Sequence, residues 1–116
     1  MGTATIFHNP RCSKSRNSLA ILNEQGLEPE IRLYLENPPS EEELISILAM
    51  LNISARDLLR KGEQDYKALN LANPNTSETE IIKAMTEYPK LIERPIVIKD
   101  GKAAIGRPPE IILELF

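Results

Sequence analysis

A strand, a helix and a second strand follow one another within residues 3–35, and this succession limits the fold more than any other feature of the chain. Thr3-Ala4-Thr5-Ile6-Phe7 is β-branched and apolar and runs into the turn signal Asn9-Pro10. From Ser13 the pattern becomes helical: Leu19 and Leu22 share a face, Ala20 and Ile21 widen it, and Gly26 marks the stop. Glu30 to Tyr34 alternates polar and apolar with Ile31, Leu33 and Leu35, which predicts a second strand. Strand, helix, strand is a βαβ unit, whose crossover is almost always right-handed.

The C-terminal quarter supplies the rest of a sheet. Ile96-Val97-Ile98-Lys99, Asp100-Gly101 and Lys102 to Ile105 read as a hairpin, because Asp-Gly provides the positive φ values of a type I′ turn. Pro108-Pro109 opens a last helix, with Ile111, Ile112 and Leu115 facing inward. The middle is helical. Ser40 with Glu43 forms a capping box ahead of Leu44, Ile47, Leu48 and Leu51 at i, i+3, i+4 and i+7. Ser54 with Asp57 and Ser77 with Glu80 repeat the device, and a short helix is expected around Tyr66 to Leu69. The order β-α-β, helical insertion, β-β-α predicts an α/β fold with a four-stranded mixed sheet, in a single domain spanning residues 1–116.

Charge and cysteine usage narrow the function. Seventeen acidic against fourteen basic residues leave a net charge of −3, which argues against nucleic acid or an anionic membrane as the main partner. No apolar run approaches the roughly 20 residues of a membrane span, and no signal region precedes the first strand, so a cytoplasmic protein is expected. The only cysteine is Cys12 and the only histidine is His8. An internal disulfide or CxxC couple is therefore excluded, and no metal site and no bound cofactor are expected.

Cys12 falls between the first strand and the first helix, in His8-Asn9-Pro10-Arg11-Cys12-Ser13-Lys14-Ser15-Arg16. Open α/β sheets bind ligands where a parallel strand hands over to its helix. There the first N–H groups of the helix, on Ser13, Lys14 and Ser15, would point back at position 12 and favour thiolate over thiol. Arg11, Lys14 and Arg16 add positive charge, and the Ser15 hydroxyl could donate to the sulfur. A lone cysteine is ordinarily a small buried hydrophobe, but at a helix start among basic residues the reactive reading is the better one. His8 would support the thiolate as an imidazolium or through a hydrogen bond. Arg60 ends a short helix, and Arg94 and Arg107 each precede a proline beside the hairpin. If the three converge, their guanidinium forks make a pocket for a tetrahedral oxyanion.

The ordered set His8-Asn9-Pro10 with Cys12, Ser15-Arg16-Asn17, Tyr34-Leu35-Glu36-Asn37-Pro38-Pro39, Leu58-Leu59-Arg60-Lys61, Arg94-Pro95-Ile96-Val97 and Arg107-Pro108 resembles the glutaredoxin-dependent arsenate reductases. The resemblance implies a thioredoxin-like fold, Cys12 as the nucleophile, Arg60, Arg94 and Arg107 as arsenate ligands, and Pro95 as a cis-proline facing the active cysteine. A second thiol must come from outside, because the chain has none. The resemblance implies glutathione as that co-substrate and glutaredoxin as the partner that reduces the resulting mixed disulfide. A monomer is expected. Two alternatives stay open: a glutathione-dependent thiol oxidoreductase with another substrate, and a non-enzymatic transcriptional regulator similar to Spx-type proteins. The regulator commonly needs a CxxC switch, where this chain has Cys12-Ser13-Lys14-Ser15.

Overall fold

Four strands, β1 (Ala4–Phe7), β2 (Glu30–Arg32), β3 (Ile96–Lys99) and β4 (Lys102–Ile105), form one sheet in the computed structural model, which describes residues 4–115. Their order is β2-β1-β3-β4. β1 pairs parallel with β2, antiparallel with β3, and β3 pairs antiparallel with β4. The sheet is thus mixed, and with its helices it has the expected thioredoxin-like α/β architecture.

Residues 4–37 and 94–115 make one compact unit and Pro38–Glu93 another. In the first, α1 (Ser13–Glu24) carries the crossover from β1 to β2. Ile6, Leu22, Val97 and Ile112 meet in a fully buried cluster, flanked by Leu19, Ile21, Leu27 and Leu115. Burying side chains of this size is worth about 1.5–3 kcal/mol each, so this cluster holds helix to sheet. Ala20 is exposed. The hairpin turn has Asp100 at φ 52° and Gly101 at φ 77°, the left-handed pair a type I′ turn demands.

Two sequence expectations need correcting here. The second strand stops at Arg32, and Ile31, Leu33 and Leu35 are 49%, 37% and 37% exposed, while Tyr34 between the leucines is buried. The cause is a tight turn: Leu33 O accepts from Glu36 N–H and Asn37 N–H, and Arg32 Nε donates to Asn37 O at 2.9 Å. That reversal swings Tyr34 inward. The final segment, Pro109–Leu115, is a 3₁₀ helix. With three residues per turn, Ile112 and Leu115 share the inner face and Ile111 is only partly covered.

The second unit holds α2 (Glu41–Leu51), α3 (Ala55–Leu58), α4 (Gln64–Ala68) and α5 (Glu78–Glu87). Both capping boxes close, Ser40 with Glu43 and Ser54 with Asp57, and Ser77 Oγ accepts from Glu80 N–H. Leu44, Ile47 and Leu48 are buried on the predicted stripe, with Ile81, Ile82 and Met85 buried on α5. Arg56 pins the loop between α4 and α5, donating from Nη1 to Leu71 O and from Nη2 to Asn73 O and Thr76 O.

Candidate active site

The loop after β1 is built by one asparagine. His8 N–H extends the ladder by donating to Arg32 O at 2.8 Å. Asn9 then uses three groups: its O accepts from Cys12 N–H, its Oδ1 accepts from Arg11 N–H, and its N–H donates to Ser15 Oγ, each at 3.0 Å. An Asx side chain that bonds the main chain two residues on makes a turn without outside help. Asn9 was legible in the sequence only as a turn signal, and its role as the clamp of this loop was missed. The clamp sets Cys12 at the N-cap of α1, with φ −96° and ψ 123°, and Cys12 O accepts from Arg16 N–H at 3.0 Å.

Cys12 is a half-buried free thiol. Burial pushes its pKa up. Against that act the Ser15 N–H, the Arg94 guanidinium through both a hydrogen bond and its charge, and the Lys14 N–H. The favourable set wins, and the thiol lies below its ordinary value of 9.0. The effect is that of aimed dipoles and a nearby cation, the arrangement that makes cysteines nucleophilic.

The supporting residues act differently from the sequence expectation. Ser15 is fully buried, and its hydroxyl is engaged with His8 Nδ1 at 2.7 Å and with Asn9 N–H. Ser15 reaches the sulfur through its backbone instead. His8 is 6% exposed, and burial, followed by the charge of Arg16, lowers its pKa from 6.5. At neutral pH it is a neutral imidazole, so the imidazolium reading is corrected: a buried cation beside Arg16 is disfavoured on both counts. Arg16 itself donates from Nη1 to Pro10 O at 2.8 Å. The cation that acts on the sulfur comes from far along the chain, at Arg94.

Strand register explains how it gets there. Phe7 lies opposite Ile96, and Ile96 opposite Ile105, so the ends of β1 and β4 and the start of β3 stand side by side. Gly106 N–H donates to Pro95 O at 2.9 Å and extends the pairing by one residue. Arg94-Pro95 and Arg107 are thereby carried to the end of the sheet from which the Cys12 loop departs. The Arg94–Pro95 and Arg107–Pro108 peptides are both cis. Arg94 Nε is buried and has no hydrogen-bond partner among the described residues. Arg107 is exposed.

Arg60 belongs to the helical unit. Its N–H donates to Leu91 O at 2.7 Å beside a bridge between Leu59 and Ile92. Its guanidinium bonds Glu63 through Nη1 and lies 3.7 Å from Glu93 Oε1 through Nε. Its charge is therefore shared with two carboxylates. Among the described residues no group of three His, Cys, Asp or Glu side chains could hold a metal ion, and no helix is long and apolar enough to cross a membrane.

A thiol of lowered pKa at a helix start with an arginine beside it is suited to nucleophilic chemistry. The ArsC family model matches residues 7–115. The uncharacterized protein YfgD of Escherichia coli K12 is 55% identical over 111 residues, covering 95% of this chain and 93% of that protein. An arsenate reductase of Haemophilus influenzae is 50% identical over 111 residues, covering 95% and 96% respectively. The structure of an arsenate reductase from Vibrio cholerae superimposes with a TM-score of 0.96 at 47% identity, covering 98% of both chains. With the match running through the Cys12 loop, both arginine-proline pairs and the sheet that joins them, the chain belongs to the ArsC family.

Proposed function

We propose that this protein is an arsenate reductase whose nucleophile is Cys12. The observation that carries the reading is the Cys12 thiol, lowered in pKa at the start of α1, with Arg94 beside it and Arg94 Nε unpaired. Relatives described as arsenate reductases at about half identity point to the same substrate. The Cys12 thiolate attacks arsenic, an oxygen leaves as water, and a thiol–arsenate ester forms. Arg94 and Arg107 neutralise the charge on the oxygens, stabilising the crowded intermediate as an oxyanion hole does.

Two electrons must then pass to arsenic. Glutathione supplies the second thiolate: it bonds to Cys12 sulfur, arsenite departs, and the two sulfurs are left oxidised as a mixed disulfide. Glutaredoxin returns Cys12 to the thiol. Both electrons come from thiols, so the reaction calls for no metal and no bound cofactor. A lone thiol with this duty belongs in the reducing cytosol, and the chain acts as a monomer.

The test couples glutathione, glutaredoxin, glutathione reductase and NADPH, and follows arsenate-dependent NADPH oxidation. Wild-type protein is expected to turn over and Cys12→Ser to give only the background rate. Equal rates in the two would remove Cys12 as nucleophile; no rate in either, with the other components active, would remove arsenate as substrate.

A further inference from the structure

The residue after β4 sits in a space with no room for a side chain. Gly106 is buried, and its N–H is tied to Pro95 O. It is not among the positive-φ glycines, which are Gly26 and Gly101, so its backbone does not require glycine. Space does. A Cβ at position 106 would press into Ser18 Oγ and stand 2.9 Å from Pro95 Cγ and 3.4 Å from Pro95 Cδ. By contrast, Gly26, Gly62 and Gly101 have nothing within 4 Å of the same point.

Ser18 lies on α1, fully buried, and its hydroxyl has no hydrogen-bond partner among the described residues. A buried serine that makes no bond contributes by being small. Gly106 and Ser18 together let the end of β4 lie flat on helix α1 and against Pro95.

What this close approach controls is the next residue, Arg107. We propose that Gly106 is a positioning residue for the oxyanion site, its missing side chain setting where Arg107 stands relative to Arg94 and Cys12. If a side chain were forced in, something would have to give. Ser18 lies between Ser15 and Leu22 on the buried face of α1, and Pro95 is followed by fully buried Ile96 and Val97. Both are anchored in the core. Arg107 follows Gly106 directly, so any shift of the strand end passes straight to it. Displacements of about 1 Å at such a ligand can cost on the order of a hundredfold. This inference rests on the oxyanion reading of the site.

The experiment measures protection of Cys12 from iodoacetamide by arsenate and, separately, by inorganic phosphate, in the full chain. Iodoacetamide is neutral and does not compete for the arginines. Gly106→Ala should weaken protection by about tenfold or more, while alkylation without anion stays within about twofold, because the groups acting on the sulfur are untouched. Adding Ser18→Ala should recover part of the loss by clearing one of the two obstacles. On an Arg107→Gln background Gly106→Ala should cost nothing further. If Gly106→Ala does not fold, Ser18→Thr crowds the same contact by one methyl and should reproduce the loss in milder form. Wild-type protection retained in Gly106→Ala, or a full loss still seen on the Arg107→Gln background, would overturn the proposal alone. No protection of wild type by either anion would overturn the oxyanion site and this proposal with it.

Discussion

The thiol of Cys12 is set by a contest between burial, which raises its pKa, and the Ser15 N–H, Arg94 and the Lys14 N–H, which together lower it more. Removing the guanidinium while keeping the chain length tests the balance. Arg94→Met should raise the Cys12 pKa, since it removes both a hydrogen bond and an adjacent opposite charge. Ultraviolet absorbance of the thiolate across a pH titration reads this directly, and an unchanged midpoint would refute the role given to Arg94. In wild type, alkylation should rise with pH through a midpoint below 9.0, being lost as pH falls through the lowered value. Cys12 and its place at a helix start were legible in the sequence because both are local. The partners of its neighbours were not. Ser15 and His8 are seven residues apart and meet across the turn that Asn9 clamps.

Helices and strands in this chain were legible wherever a short-range device marks them. The capping serines, the Asp100-Gly101 turn and the apolar stripe of α2 each depend on residues within one or two turns. Ser40→Ala removes a closed capping box and should cost about 1 kcal/mol, seen as a lower urea midpoint with unchanged slope. An effect below a few tenths would mean that α2 is held by packing alone. β2 was misread for the opposite reason. Alternation of Ile31, Leu33 and Leu35 is a sound strand signal, but it says nothing of whether the chain turns away after Arg32. It does, because Arg32 is held elsewhere: its guanidinium stands 5.4 Å over the Phe7 ring while Nε takes Asn37 O. At an edge strand with a single neighbour, apolar side chains beyond the last paired residue are left uncovered.

Across the molecule, acid should be the condition that weakens the fold. His8 is held neutral inside, so its folded pKa lies below the unfolded value of 6.5. Its contribution to stability is fully present above 6.5 and is lost as pH falls through the lowered folded value. Urea midpoints measured from pH 8 downward should decline over that window, and His8→Gln should flatten the decline; a slope identical in both would show that other groups set it. The long-range pairing that makes the site was beyond any local reading. Arg94 is a charged residue before a proline until β3 is laid beside β1, and only then is it Cys12's neighbour. That pairing also imposes an order in time. β1 lies between β2 and β3, and Phe7 waits for Ile96. At roughly 5–20 residues per second of synthesis, the wait lasts several seconds. Throughout it the nascent chain has one bare side on its central strand, and the Pro38–Glu93 helices emerge first. A newborn chain thus exposes its cysteine before it owns one of the groups that lower the thiol's pKa, and the full set is assembled only when the last quarter of the protein has been made.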